Sequence, residues 1–454
     1  MDKSKSKTQS PKLKAQNRIV SSARNAAFEI LKKIETKKSF SSVLLPIYEE
    51  TLQTKDRALC HELSLGILRN QIYLNKVIEF LTNKKLEKFD LAVLLSLRIG
   101  LFQIFLLDKI PARAAINESV NLVYKAKKHS AGGFVNAVLR RATREKIELK
   151  FADELDEVSV KTSHPRWLIE KWIKQFGFEE TKGLAVSNND SPNLVFRLTK
   201  KSDENTLSTL SKIGLEITKS KIVENAWKVS KSNEILRLFA ETGKIYFQDE
   251  ASQLIGQMID LHENENFLDV CASPGSKTTL INGKRKIENS KLFVAGDFYE
   301  HRLRSLRENC ILQGADNIEF VRYDAEESLP FAEQSFDVIL LDVPCSGTGT
   351  IRHNPEIRYF LHPSDFVELS EKQLNILKNA SKLIKKGGRL IYSTCSLERE
   401  ENETVVEKLL DGSINLRKVL PKVPERFLTN EGFARTFPDR DNTDGFFIAV
   451  FEKD

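Results

Sequence analysis

Residues 266–278 read NFLDVCASPGSKT, an apolar run that ends in small and polar residues just before a helix. Further apolar runs occur at five places: 291–297, 318–324, 336–342, 389–395 and 446–452. Helical spacing near 299–313 and 364–385 separates some of these runs. Strands that alternate with helices are typical of a parallel, doubly wound sheet. The sequence therefore predicts a Rossmann-like α/β domain over 243–454.

Ligand-binding residues are expected where these strands end, because open α/β sheets bind ligands at the carboxyl ends of their strands. The predicted ends carry four carboxylates and three thiols: Asp269, Asp297, Asp324, Asp342, Cys271, Cys345 and Cys395. Any single aspartate could instead cap a helix or a loop turn. Three aspartates in strand-end register are better explained by one shared site.

The loop CASPGSKT discriminates between three kinds of nucleotide-binding site. A P-loop needs glycine where Cys271 and Ser276 stand, and a dinucleotide-binding loop needs three glycines where only Gly275 is present. S-adenosylmethionine has no phosphate and needs no glycine cradle, so it fits this loop. Asp297 follows Gly275 by 22 residues, near the ~20 expected of an acid that binds ribose hydroxyls. Asp324 is expected to accept a hydrogen bond from the adenine amino group.

The five cysteines show no C-x-x-C spacing, so we expect no metal site. A lone cysteine is most often a small buried hydrophobic residue, which is the role expected of Cys60 and Cys310. Cys271 is expected to line the cofactor pocket. Cys345 and Cys395 differ, because both follow neighbouring strands in polar loops where a thiolate is feasible.

A thiol beside a methyl donor indicates chemistry on cytosine. Carbon 5 of cytosine is not nucleophilic until a thiolate adds to C6, after which C5 can take the methyl group. The C5 proton must then leave before the thiol is released, and a carboxylate near N3 would stabilise the adduct. Cys345, Cys395 and Asp342 match these needs, and the residue pattern alone does not rank the two thiols.

Four motifs together carry a family resemblance: LDVCASPGSKT, LLDVPCSGTGTIRHNPEIR, IYSTCS and DGFF. They resemble the bacterial RNA cytosine-C5 methyltransferases of the Sun/NOL1–NOP2 class. Residues 19–150, with FVNAVLRR at 134–141, resemble the NusB-like helical domain fused to the small-subunit rRNA member of that class. The resemblance covers nearly everything after residue 18.

The resemblance implies S-adenosylmethionine as cofactor and a cytidine in 16S rRNA as substrate. The implied cofactor-binding residues are Cys271, Ala272, Ser273, Pro274, Gly275, Ser276, Lys277, Asp297, Asp324 and Asp342. It further implies that Cys395 is the nucleophile, that Cys345 assists product release and that Asp342 takes part in catalysis. DNA cytosine methyltransferases use a Pro-Cys thiol instead, which would favour Cys345.

The chain departs from its relatives in two motifs. Most relatives have glycine at the position of Ser276 and alanine at that of Ser273, so the loop is expected to approach the cofactor differently. The usual pair of arginines is here Arg352-His353, which is expected to alter contacts to the substrate backbone.

The rest of the chain completes a multidomain fold class. Residues 19–150 are predicted to form an all-α bundle, in which the apolar segment 91–107 is the central buried helix and not a membrane span. Residues 151–165 are interpreted as a linker. Residues 166–242 are interpreted as a small α+β subdomain that precedes the catalytic domain. The resemblance implies that this subdomain and the NusB-like domain bind RNA.

Positive charge is concentrated at the N-terminus. The net charge of the chain is +7, and residues 1–18 carry six lysines and arginines against one aspartate. We expect a disordered basic tail there, with an arm that contacts nucleic-acid phosphates as the alternative. The same alternatives, a solvated face or an RNA-facing patch, apply to Arg140, Arg141 and Arg144.

No apolar segment follows the N-terminal charges, so no signal peptide is expected, and the cysteine usage fits a cytoplasmic, reducing location. We expect an rRNA partner, no membrane, no metal and a monomer. Two other functions stay open. One is the same chemistry on tRNA or 23S rRNA, and the other is a non-catalytic RNA-binding assembly factor with a relic cofactor fold.

Overall fold

A computed structural model describes residues 20–284, 291–412 and 415–454. The basic tail predicted at 1–18 lies outside these residues. The chain divides into two compact units, Met1–Arg166 and Trp167–Asp454. Among the described residues, no helix has the length and apolar character needed to cross a membrane.

The first unit is helical. Its described residues form α1 (Ser22–Lys37), α2 (Ser41–Glu50), α3 (Thr54–Arg69), α4 (Gln71–Thr82), α5 (Leu91–Leu106), α6 (Ala112–Lys125), α7 (Gly132–Ala142) and α8 (Glu154–Thr162). Helix α5 is central, since it contacts α1, α3, α4, α6 and α7. Its buried polar residues have partners: Gln103 Oε1 accepts a 2.7 Å hydrogen bond from Arg24, and Arg98 forms an ion pair with Glu35. The predicted helical bundle is confirmed.

Residues 151–165 contain a helix where the sequence analysis expects a linker. Helix α8 begins after Asp153, whose carboxylate accepts a 2.7 Å hydrogen bond from Asp156 N. Val158 and Val160 are buried, and the helix contacts α4. Only a few inward side chains hold this short, mostly polar helix, so its apolar periodicity is too weak to be recognised.

The second unit contains a small antiparallel sheet in the order β2-β3-β1-β4. Its strands are β1 (Leu194–Leu198), β2 (Ile217–Lys219), β3 (Ala226–Val229) and β4 (Ile245–Phe247). The helices of this region are α9 (Arg166–Phe176), α10 (Phe178–Ser187), α11 (Thr206–Lys212) and α12 (Glu234–Glu241). Strand β4 pairs with β1, although it lies beyond residue 242, where the sequence analysis ends the small subdomain.

The larger sheet has the order β10-β12-β9-β8-β5-β6-β7, with β11 beside β12. Its strands are β5 (Phe267–Asp269), β6 (Phe293–Asp297), β7 (Glu319–Arg322), β8 (Phe336–Asp342), β9 (Ile384–Thr394), β10 (Leu416–Val419), β11 (Ala434–Thr436) and β12 (Phe446–Lys453). The described helices are α13 (Glu250–Met258), α14 (Ser276–Lys284), α15 (Glu300–Gln313), α16 (Ile357–Phe360), α17 (Pro363–Ser381), α18 (Glu403–Leu410) and α19 (Pro438–Asp441). Strands β5 to β9 are parallel, as predicted, whereas β10, β11 and β12 pair antiparallel.

Both faces of the larger sheet are buried, as parallel strands require. Successive residues of β8 enter different clusters. Ile339 and Leu341 pack with Leu377 of α17, whereas Leu340 packs with Ile255 of α13. This packing fixes the carboxyl ends of β5, β6, β8 and β9, where most of the predicted site residues lie.

Candidate active site

The two thiols that follow β8 and β9 meet. Cys345 lies three residues beyond β8, and Cys395 directly follows β9. These strands are parallel neighbours with Asp342 opposite Ser393, so both loops leave the sheet at the same level. The two Sγ atoms are 3.3 Å apart, and both residues are half-buried. The structure thus brings together two cysteines from separate loops.

The surroundings of this pair act on the thiol of Cys345. The hydrogen bond with Cys395 raises the pKa of Cys345 well above its ordinary value, and burial and the charge of Glu401 act in the same direction. Cys345 therefore stays protonated at neutral pH and can donate its hydrogen to the sulfur of Cys395.

Asp342, the last residue of β8, links the thiol loops to the predicted cofactor loop. Its Oδ2 pairs with Lys277 Nζ at 2.6 Å, and its Oδ1 accepts a hydrogen bond from Ser393 Oγ at 2.9 Å. Lys277 stands in the first turn of α14, and its ammonium group lies 5.1 Å from the centre of the Phe446 ring. The Asp342 side chain keeps 31 % of its surface exposed, so the carboxylate is open to a substrate.

The predicted cofactor loop, residues 271–277, runs from the end of β5 into the first turn of α14. Gly275 has a φ of +99°, and a Cβ atom there would lie 2.8 Å from the side chain of Leu306, so the turn needs glycine. Ser273 N donates a 3.3 Å hydrogen bond to Asp297 Oδ2. The loop is therefore tied to the end of β6.

The other two predicted carboxylates differ in their surroundings. Asp297 is 5 % exposed, and its further contacts are long, with Tyr299 N and Arg302 Nε each at 3.4 Å. Such contacts leave its oxygens able to accept ribose hydroxyls. Asp324, two residues beyond β7, is half-buried and accepts a 3.0 Å hydrogen bond from Glu326 N, a contact typical of a loop turn.

Asp269 and the remaining cysteines belong to the core. Asp269 Oδ2 accepts a 2.7 Å hydrogen bond from Thr278 Oγ1, and burial raises the pKa of Asp269 to about 7. Cys60 and Cys310 are buried, as predicted. Cys271 is half-buried and packs against the core of the larger sheet, and burial raises the pKa of its thiol.

Arg352 and His353 converge on a carboxylate just before β12. Arg352 Nη2 and His353 Nε2 lie 3.7 Å and 3.3 Å from the same oxygen of Asp444. Burial lowers the pKa of His353, but the charges of Asp444 and Asp249 outweigh burial, so the pKa is raised. Asp249, His353 and Asp444 also hold potential metal-ligand atoms within 4.8 Å of one another. The guanidinium group of Arg352 already places a positive charge beside Asp444. That no metal binds here stays a prediction.

Comparison with known proteins decides the family. Residues 21–144 match the NusB family, 164–235 match the RsmF/B-like ferredoxin-like domain, and 256–452 match the 16S rRNA methyltransferase RsmB/F. The chain is 33% identical over 445 residues to the probable ribosomal RNA small subunit methyltransferase B of Bacillus subtilis, covering 95% of this chain and 99% of the relative. The chain belongs to the RsmB/F methyltransferase family.

Two further comparisons extend over the same length. The RsmB/F relative from Pseudomonas putida, a ribosomal RNA small subunit methyltransferase B, is 32% identical over 436 residues, covering 95% of this chain and 98% of the relative. The crystal structure of PH0851 has a TM-score of 0.83 and 26% identity, covering 95% of this chain and 98% of that one. The predicted fold class, with a NusB-like bundle, an α+β subdomain and a Rossmann-like methyltransferase domain, is confirmed.

Two glutamates of this RsmB/F chain were missed by the sequence analysis and lie behind the thiol loops. Glu401 is fully buried and accepts hydrogen bonds from Ser346 and Ser396. Glu398 is also fully buried and accepts a 2.9 Å hydrogen bond from Trp172 Nε1. By composition, the run LEREENE is typical of an exposed acidic loop. Its position directly behind IYSTCS is the signal that could have identified them.

Proposed function

We propose that this protein transfers a methyl group from S-adenosylmethionine to carbon 5 of a cytidine in 16S rRNA. The observation that carries the proposal is the meeting of Cys345 and Cys395, whose sulfur atoms lie 3.3 Å apart beyond two parallel strands. Two thiols beside the carboxylate of Asp342 are the groups that methylation of cytosine C5 needs.

The residues beyond β5 and β6 fit S-adenosylmethionine. Gly275 at positive φ lets the loop turn tightly into α14, and Asp297 offers acceptor oxygens beside the Phe298 ring, which is 45 % exposed. We assign the binding of this cofactor to residues 271–277, Asp297 and Asp324, with Asp342 at the border of the thiol site. When bound, the cofactor supplies an electrophilic methyl group.

We assign the nucleophilic role to Cys395. Its thiolate forms a bond with C6 of the cytosine, and the electron pair of the C5–C6 double bond makes C5 nucleophilic. After C5 has taken the methyl group, with S-adenosylhomocysteine as the leaving group, a base from solvent takes the C5 proton, the double bond re-forms and the electron pair of the C6–S bond returns to the sulfur of Cys395. Cys345 assists this release, because its S–H group stabilises the departing thiolate of Cys395.

Asp342 orients and stabilises the cytosine in this proposal. Lys277 and Ser393 hold its two oxygens in place, as their 2.6 Å and 2.9 Å contacts indicate. A carboxylate fixed in this way can hydrogen-bond the ring near N3 and stabilise the protonated adduct. The target base must leave its stack to reach this site.

The choice of rRNA as substrate rests on the relatives. Those from Bacillus subtilis and Pseudomonas putida are named as ribosomal RNA small subunit methyltransferases B, and we extend that substrate to this chain. The matches to the NusB family and to a ferredoxin-like domain agree with an RNA partner, and we propose the cytoplasm as the location. The same chemistry on tRNA or 23S rRNA and a non-catalytic assembly role are the alternatives.

The test is methyl transfer from tritium-labelled S-adenosylmethionine to RNA from cells that lack the gene. We expect label in 16S rRNA, with bisulfite sequencing locating it at C5 of a cytidine. The variant Cys395→Ala should transfer no label, whereas Cys60→Ala, which removes a thiol from the first unit, should keep the activity. Label in tRNA or 23S rRNA alone would change the substrate, and no label in any RNA would favour the assembly factor.

A further inference from the structure

The loops that carry the two thiols pair side by side beyond the sheet. The hydroxyl oxygens of Ser346 and Ser396, which directly follow Cys345 and Cys395, lie 3.1 Å apart. Further along the two loops, Leu397 N donates a 2.9 Å hydrogen bond to Thr348 Oγ1 of the other loop. The position of each sulfur therefore depends on how the two loops are held together.

One buried carboxylate accepts hydrogen bonds from both loops. Oε1 of Glu401 accepts from Ser346 N at 2.8 Å and from Gln373 Nε2 at 2.9 Å. Its Oε2 accepts from the hydroxyl groups of both Ser346 and Ser396. The side chain is fully buried, so water does not compete for these four bonds. Glu401 is thus the common partner of the two serines that follow the thiols.

Neighbouring residues fix Glu401 itself. Tyr392 OH donates a 2.6 Å hydrogen bond to the Glu401 carbonyl. The next residue, Asn402, accepts from Thr394 Oγ1 at 2.6 Å and donates to Ser396 O at 2.8 Å. These bonds connect the residues on both sides of Cys395 to the Glu401–Asn402 segment, so the carboxylate is held in place from β9.

The four donors around Glu401 match an ionised carboxylate. Burial raises the pKa of Glu401, whereas the hydrogen bonds from Ser346, Ser396 and Gln373 favour the ionised form. An ionised carboxylate accepts all four donors, but an amide of the same size would turn two acceptor positions into donors. Glu401→Gln therefore replaces the two charge-assisted hydrogen bonds from the serine hydroxyls by weaker neutral bonds in the opposite direction, without removing volume.

We propose that Glu401 is a positioning residue that holds Cys345 and Cys395 at the separation in which one sulfur can donate a hydrogen to the other. Glu401 touches neither sulfur and acts through Ser346 and Ser396. This inference rests on the proposed function, because a reaction that uses both thiols needs their separation to be fixed.

The first measurement is steady-state methyl transfer by Glu401→Gln. We expect kcat to fall about 10²-fold, the loss expected when reacting groups are misplaced by ~1 Å. The dissociation constant of S-adenosylmethionine and the KM for RNA should stay within about twofold of the wild type, because the cofactor loop is untouched.

The second measurement reports the sulfur separation without any methyl transfer. Diamide, an azo compound, takes up the two electrons and two protons that two thiols lose when they form a disulfide. The sulfurs of Cys345 and Cys395 start 3.3 Å apart and must close to ~2.05 Å, so the wild type should form this disulfide readily. Glu401→Gln should form it about tenfold more slowly.

The matched control is Glu407→Gln in α18, whose side chain is 56% exposed and pairs with Arg399. It should equal the wild type in both measurements. Wild-type values of kcat and of the disulfide rate in Glu401→Gln would overturn the proposal. If Glu401→Gln does not fold, Ser396→Ala tests the proposal instead. This variant removes one donor to Glu401 and should slow both methyl transfer and disulfide formation. Wild-type rates in Ser396→Ala would overturn the proposal. A wild-type protein that methylates no RNA contradicts the proposed function alone, since the diamide rate still tests Glu401.

Discussion

Nζ of Lys277 lies 2.6 Å from Oδ2 of Asp342 and joins the first turn of α14 to the last residue of β8. A second pair with the same distance, Lys385–Asp337, lies near the opposite end of that strand. Two ion pairs of equal length on one strand allow a direct comparison. One lies among the predicted site residues, and the other lies where no site residue is predicted.

Lys277→Met should lower methyl transfer about 10²-fold, because leaving a charged hydrogen-bonding group without its partner costs up to ~3 kcal/mol. Lys385→Met removes a pair of the same length with a more exposed lysine at the far end of β8, and it should change stability by about 1 kcal/mol or less, with activity retained. Measurements of kcat/KM and of thermal unfolding separate the two effects. Equal losses of activity in both variants would contradict a role for Lys277 at the site.

Cys345→Ala should let a covalent protein–RNA adduct accumulate, because attack by Cys395 survives while release is slowed. Cys395→Ala should give neither adduct nor product. Denaturing gel electrophoresis with labelled RNA detects the adduct as a band of reduced mobility. The opposite outcome, an adduct in Cys395→Ala alone, would exchange the roles of the two thiols.

Asp297→Ala should weaken binding of S-adenosylmethionine about 10- to 100-fold, since each hydrogen bond to a charged group contributes roughly 1.5–3 kcal/mol. Its affinity for RNA should be nearly unchanged, because Asp297 contacts the cofactor loop and not the thiol loops. Calorimetry measures the first quantity and filter binding the second. Equal losses in both would indicate misfolding rather than a cofactor contact.

Asp269→Asn should change the pH dependence of stability. Burial raises the pKa of Asp269 from 3.8 to about 7, so its contribution to stability is fully present below pH 3.8 and is lost as the pH rises through about 7. The side chain of the asparagine variant does not titrate. Its free energy of unfolding should therefore rise relative to that of the wild type by about 2–3 kcal/mol between pH 5 and pH 8. Scanning calorimetry of both proteins at each pH measures the difference. A constant difference across this range would show that folding does not raise the pKa of Asp269.

The sequence predicts the parallel strands well because each is a short apolar run with both faces buried. The run 336–342 coincides with β8, and 291–297 contains β6. Antiparallel pairing of β12 with β9 depends on contacts between residues 447–452 and 389–394, which no local pattern reports. For this reason the mixed character of the sheet was not predicted.

The candidate site is also only partly visible in the sequence: local patterns give the positions of its residues, but not the contacts between them. The sequence places Cys345 and Cys395 at strand ends, and the order of strands then brings them together. The sequence could not rank the two thiols, because the contact between their sulfurs forms only when residues 50 positions apart in the chain meet. Glu401 itself was missed because an acidic run gives no sign that one of its carboxylates accepts four hydrogen bonds inside the protein.

The pairing of β4 with β1 has a practical consequence for dividing the chain. Separating the polypeptide between residues 242 and 243 would remove β4, one of the two strands that pair with β1, and leave the unpaired edge of β4 (Ile245–Phe247) near the start of the C-terminal fragment. Each fragment would then expose an unpaired strand edge, on β1 or on β4, and such edges promote self-association. When the two fragments are co-expressed, they should reassociate by pairing β4 with β1, as in split-protein complementation.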